Sequence, residues 1–224
     1  MERNYRHENK YLISAADANL LSFRLPHVMQ RDPHAGETGC YTIRSLYFDD
    51  PQFTAFHDKA NGVDDRTKYR IRCYNYDTAV LRLEKKEKKG ELTRKTGQTI
   101  TLAQALQLQK DPGASEAEGL GAELRLGCLG KGLRPAVLVD YDRTPFVCAA
   151  GNTRITLDAN LRTIPHGKDL LASPNGMIPV MDPDQVILEV KFDDFLPGYL
   201  SDMLADIHKI PMAISKFALC LNMI

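Results

Sequence analysis

Residues 68–88 read KYRIRCYNYDTAVLRLEKKEK, and this stretch decides the fold that we predict from the sequence. Arg70 and Arg72 share one parity in its first half, and Glu84 and Lys86 share one parity in its second half. Because residues two apart lie on the same face of a strand, the pattern predicts two strands that each have a charged face and an apolar face. The residues between them predict a hairpin turn.

The same alternation recurs in segments that are far apart in the chain. The charged residues that share a parity there are Arg6, Glu8 and Lys10; Arg82 with Glu84 and Lys86; Arg154 and Asp158; and Glu189 and Lys191. The chain is neutral, with 29 basic and 29 acidic residues, yet these faces carry mostly Arg and Lys with single glutamates. If the strands form one sheet closed on itself, the charges converge on a lumen that suits a polyanion. The alternative is a half-buried sheet whose charged face points to water, because periodicity alone does not give the direction of that face.

The rest of the sequence predicts a mixed fold. Roughly eight strands are expected without a βαβ rhythm, which favours an antiparallel sheet. They cover residues 5–13, 41–48, 67–75, 79–88, 92–100, 136–143, 153–157 and 186–192. Helices are expected after capping signals at Ser14, Asp50 and Thr101, and over residues 198–208 and 215–223. We therefore predict an α+β fold in a single domain of residues 1–224, in which a closed eight-stranded antiparallel β-barrel has helices packed outside.

Composition excludes several classes of protein. Neutral net charge argues against a nucleic-acid-binding surface, which usually carries a strong basic excess. The five cysteines are odd in number and form no CxxC pair, so neither a disulfide framework nor a zinc site is indicated. The N-terminus has no apolar signal core, and no segment approaches the roughly 18 apolar residues of a membrane span. These features predict a cytoplasmic protein with no membrane span in this chain and no nucleic acid partner.

The charged faces indicate phosphate chemistry. Arg and Lys that project into a barrel are costly unless a carboxylate or an anionic ligand meets them, and a phosphate chain brings several charges in a narrow form. The glutamates on the same faces are poor phosphate contacts, but their oxygens suit Mg²⁺ or Mn²⁺. Glu189 is the best candidate ligand because it lies in a strongly apolar strand. Glu8 and Glu84 are either ligands or ion-pair partners of neighbouring cations.

A set of motifs stands in one order along the chain. They are RHENKYLI from residue 6, SLYFDD from 45, KYRIR from 68, LRLEKKEKKGELTRK from 81, VDYDRTPF from 139, RITLD from 154, ILEVKF from 187 and ISKF from 214. In this order the chain resembles the VTC domain, the polyphosphate polymerase domain that forms a branch of the triphosphate tunnel metalloenzymes. The resemblance runs from about residue 4 to residue 220.

The resemblance implies a tunnel of eight antiparallel strands, in which a nucleoside triphosphate or polyphosphate lies among basic residues with a divalent metal. Together with the strand pattern it assigns Lys10, Arg70, Arg72, Lys86 and Lys216 to catalysis, Lys95, Arg143, Arg154 and Lys191 to substrate binding, and Glu189, Glu8 and Glu84 to the Mn²⁺ or Mg²⁺ ion. Arg6 stands where many tunnel enzymes have a further glutamate, which leaves the number of metals open. Arg94 takes the place of Lys95 if the register slips by one residue.

The predicted function is a polyphosphate polymerase-like phosphotransferase. It moves the terminal phosphate of a nucleoside triphosphate, expected to be ATP, onto inorganic polyphosphate, and its partners could include a membrane protein. One alternative is a tripolyphosphatase or nucleoside triphosphatase in the same tunnel, because only an oriented water distinguishes the reactions. A second is a polyphosphate-binding module without turnover. A third is a single-stranded RNA binder that stacks bases on the rings of Tyr5, Tyr69, Tyr74 and Phe192.

Overall fold

The structure, a computed structural model, describes residues 7–63, 65–89, 92–114, 117–213 and 215–223. The strands are β1 (His7–Ser14), β2 (Gln30–Arg31), β3 (Tyr41–Asp49), β4 (Arg66–Tyr74), β5 (Asp77–Lys89), β6 (Leu92–Ile100), β7 (Arg134–Cys148), β8 (Thr153–Thr163), β9 (Ile178–Pro179), β10 (Gln185–Phe192) and β11 (Ile210–Pro211). The helices are α1 (Ala15–Arg24), α2 (Thr54–Ala60), α3 (Leu102–Lys110), α4 (Leu120–Lys131), α5 (Gly198–Ala205) and α6 (Lys216–Leu221). No helix within the described residues is long and apolar enough to cross a bilayer.

Local capping signals fix where the helices begin. Ser14 caps α1 by accepting a hydrogen bond from the Asp17 amide at 3.0 Å, and Thr101 and Gln104 form the predicted capping box of α3. The predicted start of α2 at Asp50 is wrong, because α2 begins at Thr54. Asp50 instead accepts hydrogen bonds from the amide of Gln52, in the turn before the helix, and from the amide of Thr54, the first residue of α2.

The chain divides into two compact units. Unit 1 comprises Met1–Thr42, Tyr141–Leu161 and Met181–Ala213, and unit 2 comprises Ile43–Asp140, Arg162–Val180 and Ile214–Ile224. Each unit has its own buried apolar cluster, with Leu21, Phe146 and Leu188 in unit 1 and Leu46, Ile71 and Leu83 in unit 2. A single domain over residues 1–224 stays a prediction.

Unit 1 contains an antiparallel sheet with most of its apolar residues on one face. Its strand order is β11, β1, β10, β8 and residues 141–148 of β7, and β2 pairs with the same part of β7. Val186, Leu188 and Val190 of β10 point into the core. Since side chains alternate along a strand, Glu189 and Lys191 lie on the opposite face.

Unit 2 follows the same rule with different strands. Its order is residues 134–140 of β7, then β3, β4, β5 and β6. Tyr69, Ile71 and Cys73 of β4 join the core, so that Arg70 and Arg72 lie on the other face. The short strand β9 pairs with the end of β8 at Arg162 and Thr163.

The sheet is open, and the prediction of a closed eight-stranded barrel is therefore wrong. Within the described residues β6 pairs only with β5, and β11 pairs only with β1. The edge strands have features that resist further pairing, because β11 is two residues long and contains Pro211, while β6 carries Arg94 and Lys95. The α+β class and the antiparallel sheet are confirmed.

A buried ion pair links two strands of unit 2. Arg44 of β3 is 3% exposed and Asp140 of β7 is fully buried. The Arg44 Nη2 atom lies 2.8 Å from Asp140 Oδ2, and its Nη1 atom donates to the carbonyl oxygens of Leu170 and Ala172. These contacts satisfy the guanidinium in a region that excludes water.

We predict that Asp140→Leu lowers the free energy of unfolding by about 3–5 kcal/mol, because it leaves the buried Arg44 charge without its carboxylate. Chemical denaturation measures the loss. The double variant Arg44→Leu/Asp140→Leu should recover much of it, since no uncompensated charge remains. A double variant that is as unstable as the sum of the two single variants would contradict this account.

Candidate functional site

One face of the unit 2 sheet gathers basic side chains in rows across β3 to β6. The strand registers place these residues opposite one another: Tyr47, Arg70, Glu84 and Gly97 in one row; Ser45, Arg72, Arg82 and Thr99 in the next; and Lys68, Lys86 and Lys95 in a third. We call these three rows the cationic face. It holds six Lys and Arg residues and a single carboxylate, Glu84, so it is strongly positive although the chain is neutral.

Glu84 lies at the centre of the cationic face and is 4% exposed. The Nε and Nη2 atoms of Arg70 both lie 2.6 Å from Glu84 Oε2, while Arg72 Nη1 lies 3.9 Å from it. Lys95 Nζ contacts the other carboxylate oxygen. Burial alone would raise the pKa of Glu84, but the three neighbouring cations outweigh burial and lower it to about 2. The carboxylate is therefore charged at neutral pH.

The strand register places Lys95, and not Arg94, on the cationic face. Lys95 shares the cationic face and reaches Glu84, whereas Arg94 lies on the opposite face of β6, 3.9 Å from Glu87. Half of the Lys95 side chain is exposed, and its ammonium group contacts the Glu84 carboxylate. Partial burial of the ammonium group and the repulsion from Arg70 and Arg72 lower the pKa of Lys95 to about 8, and Glu84 acts in the opposite direction.

The other basic residues predicted in unit 2 lie on or next to this face. Lys86 stands between Lys68 and Lys95 in the third row. Lys216 is the first residue of α6 and is buried. Its neighbour Phe217 packs against the Tyr47 ring, with 5.1 Å between ring centroids, and lies 4.4 Å from the Lys68 ammonium group. The start of α6 is thus held at the cationic face.

A second charged face lies on the unit 1 sheet. The registers place Glu8, Lys191 and Arg154 in one row, and Lys10, Glu189 and Thr156 in the next. We call these two rows, with Arg143 and Asp158 beside them, the mixed-charge face. This face has four cations and three carboxylates. A fourth carboxylate, that of Asp32, lies 2.9 Å from Arg154. In contrast to the cationic face, its charges nearly balance.

Lys191 connects the two glutamates that were predicted as metal ligands in unit 1. Its Nζ atom lies 3.2 Å from Glu189 Oε2 and 3.8 Å from Glu8 Oε1, and Lys10 Nζ lies 2.9 Å from the same Glu8 oxygen. The two carboxylates therefore converge on one point, and the Lys191 ammonium group lies there. Arg6 lies outside the described residues.

Arg143 and Arg154 are held by carboxylates that the sequence did not reveal as their partners. Arg143 binds Asp158 through two hydrogen bonds of 2.6 and 2.7 Å, and its Nη2 atom lies 3.6 Å from Glu189 Oε2. Burial would lower the pKa of Arg143, but Asp158 raises it well above its usual value, so the guanidinium stays charged. Arg154 donates to Asp32 and to the Tyr41 hydroxyl.

The mixed-charge face has oxygen atoms that fit a divalent metal which arrives with phosphate. Glu189 is 6% exposed, and the Thr156 hydroxyl opposite it is buried without a hydrogen-bond partner among the described residues. Within the described residues no three His, Cys, Asp or Glu side chains form a metal-binding group. Mg²⁺ needs only one or two carboxylates when phosphate oxygens complete its shell, so Glu189 and Glu8 suffice. Glu84 belongs to unit 2, where it contacts the cations Arg70, Arg72 and Lys95.

Two functional candidates escaped the sequence analysis for different reasons. Thr156 lies between Arg154 and Asp158 on the same parity, so the alternation could have identified it. Asp32 lies in an irregular segment, where no periodicity relates it to Arg154. The structure also weakens the RNA-binding alternative, because Tyr69 is buried in the unit 2 core and Phe192 stacks on His7. Tyr5 lies outside the described residues.

Comparisons with known proteins identify the family and a shared fold. The family model of the VTC domain matches residues 5–224. No curated protein sequence matches the chain. Among solved structures, the chain is similar to a Bacillus halodurans protein that is provisionally named an adenylate cyclase, with 16% identity, a TM-score of 0.56 and 95% of each chain covered. It also matches a protein from Pyrococcus horikoshii at 14% identity and a TM-score of 0.48, covering 96% of this chain and 99% of that one. The first match shows a shared fold.

We predict that metal-free tripolyphosphate binds less tightly as the pH rises from about 7 to about 9, and that Lys95→Gln removes part of this dependence. The pKa of Lys95 is about 8, so its ammonium group loses its proton in this range and the cationic face loses one positive charge. Both proteins are titrated with tripolyphosphate in a calorimeter at each pH. Protonation of the ligand affects both proteins equally, so it cancels in the comparison. Arg94→Gln is the control and should keep the wild-type profile. Identical profiles for Lys95→Gln and wild type would contradict the placement of Lys95.

Proposed function

This chain belongs to the VTC domain family, and from that premise we propose that it is a polyphosphate polymerase-like phosphotransferase. The observation that carries the proposal is the cationic face, where six basic residues and one carboxylate share three adjacent rows. Such an excess of positive charge attracts further negative charge. A triphosphate or a longer phosphate chain supplies it in an extended form.

The cationic face can perform the part of phosphoryl transfer that a protein usually performs. The reaction needs little covalent help from side chains, but it needs alignment of the phosphate chain and stabilisation of the charge on the moving group. Arg70 and Arg72 present guanidinium groups that fork onto phosphate oxygens, and Lys86, Lys95 and Lys216 add point charges. In the proposed reaction the terminal oxygen of polyphosphate attacks the γ-phosphorus of ATP, the bond to the β–γ bridging oxygen breaks, and ADP leaves with the electron pair.

In unit 1 we propose Glu189 and Glu8 as the residues that would hold Mn²⁺ or Mg²⁺. When bound, such an ion would neutralise charge that develops on phosphate oxygens. Lys191 would hold the two carboxylates toward a common point, Lys10 would pair with Glu8, and Arg143 and Arg154 would contact substrate oxygens. We assign Glu84, which was predicted as a third metal ligand, to ordering Arg70 and Lys95.

A second candidate is a polyphosphate-binding module without turnover. It is favoured by one observation: the Lys191 ammonium group already lies near both carboxylates that are proposed for the metal. Hydrolysis of tripolyphosphate or of a nucleoside triphosphate is the remaining member of the same class. Location in the cytoplasm and a membrane protein as partner belong to the proposal and rest on the sequence alone.

A product assay tests the function. The purified protein is incubated with ATP and either Mn²⁺ or Mg²⁺, and polyphosphate, ADP and free phosphate are measured. The proposal predicts that the amounts of polyphosphate and ADP increase together. Free phosphate without polymer would make the protein a hydrolase, and tight polyphosphate binding with no product under any nucleotide or metal would make it a binding module.

We predict that Glu189→Gln lowers metal-dependent turnover by roughly 10²–10³-fold, the effect of removing one electrostatic stabiliser of the transition state. The variant keeps the size of the side chain and removes its charge, so metal-free tripolyphosphate should bind as tightly as before or more tightly. Glu87→Gln is the control, because Glu87 lies on the opposite face of β5 beside Lys85 and Arg94. Wild-type turnover in Glu189→Gln would show that this carboxylate has only a structural role.

A further inference from the structure

A cavity of about 490 Å³ in unit 2 is lined by three basic residues that the function above does not use. They are Lys110 at the end of α3, Arg134 at the start of β7 and Lys168 in the segment after β8. Leu106, Gln109 and Pro135 complete the lining. The volume falls within the roughly 300–1,000 Å³ that is typical of small-molecule sites. We call this cavity the basic cavity.

The three cations of the basic cavity are exposed and have no ion pair or hydrogen bond with any described residue. Elsewhere in this neutral chain most clustered cations contact carboxylates, as Arg70, Arg143 and Arg154 do. The Asp169 carboxylate, next to Lys168 in the sequence, already accepts hydrogen bonds at Oδ1 from the Gln109 side chain and the Leu171 amide. Among the described residues, no carboxylate forms an ion pair with the three cations of the cavity.

Only one of the three cations that line the basic cavity has a structural role that explains its position. Lys110 lies in the last turn of α3, where a cation interacts favourably with the carbonyl end of the helix. Neither Arg134 nor Lys168 lies in the last turn of a helix. Both line the same cavity as Lys110, so three positive charges face one space and favour the approach of an anion.

The adjoining cavity extends the same chemistry. It has a volume of about 360 Å³ and shares Lys168 with the basic cavity. His57 and His166 are among its lining residues and offer ring N–H groups as further hydrogen-bond donors. A linear anion bound along Lys110, Arg134 and Lys168 could therefore continue toward the two imidazoles.

From this cluster we propose that the basic cavity is a second anion-binding site, separate from the cationic face, whose ligand is a linear phosphate chain. Arg134 supplies a fork for two phosphate oxygens, and Lys110 and Lys168 supply point charges. A chain of phosphates matches three separated cations better than a monovalent anion, because each cation meets its own negative group. The proposal does not depend on turnover, so it stands or fails separately from the polymerase function.

The test uses the full chain and metal-free tripolyphosphate in calorimetric titrations at low salt. All variants carry Arg70→Gln, which weakens binding at the cationic face and leaves the second site to be measured. Adding Arg134→Gln with Lys168→Gln should weaken the remaining binding by about tenfold or more, as expected for loss of charge-assisted hydrogen bonds. The matched control adds Arg125→Gln with Lys131→Gln, which removes two exposed cations of α4 and should leave affinity unchanged.

Equal affinities for the cavity pair and the α4 pair would overturn the proposal, because the loss would then reflect net charge alone. A parallel titration with ATP distinguishes the source of the phosphates. Weaker ATP binding in the cavity pair, in parallel with tripolyphosphate, supports a site that accepts nucleotide phosphates as well as free chains. Binding that requires the nucleoside, so that ATP responds to the cavity pair and tripolyphosphate does not, would also overturn it.

Discussion

The contact between Glu84 and its surrounding cations is the interaction on which the cationic face depends. Basic side chains on adjacent strands repel one another, and in this face six of them stand in three neighbouring rows. Glu84 draws Arg70, Arg72 and Lys95 to one point and stays ionised, with a pKa of about 2. One carboxylate cannot offset six cations. Glu84 thus lets the cations gather on one face, but the face keeps an excess of positive charge. That excess favours the binding of a phosphate chain.

The two charged faces differ in the balance of charge, and this difference suggests different tasks. On the mixed-charge face each cation has a carboxylate nearby, and Lys191 stands between Glu8 and Glu189. A divalent ion could replace the interaction of that ammonium group with the two carboxylates, whereas on the cationic face a metal would meet repulsion. We accordingly propose that the cationic face binds phosphate and that the carboxylates of unit 1 bind the metal.

The sequence was sufficient wherever a property depends on strand periodicity. It predicted that Arg70 and Arg72 share one face of their strand and that Glu84 and Lys86 share one face of theirs, because side chains alternate whatever the tertiary structure. It could not place Asp32 beside Arg154 or pair Arg44 with Asp140, since those contacts join residues about a hundred positions apart with no periodic relation. It also predicted closure of the sheet wrongly. The alternation of side chains shows which face of a strand is charged. Whether the edge strands of the sheet pair with each other depends instead on the polar residues of β6 and on the shortness of β11.

Thermal unfolding with and without tripolyphosphate tests the central claim most directly. A ligand that binds only the folded protein raises its melting temperature, and binding through clustered charges weakens as salt screens them. The account predicts a rise in melting temperature that exceeds the rise with chloride at equal ionic strength, shrinks at high salt, and is reduced in Arg72→Gln. A melting temperature that does not respond to tripolyphosphate at low salt, or a rise that Arg72→Gln leaves unchanged, would contradict it.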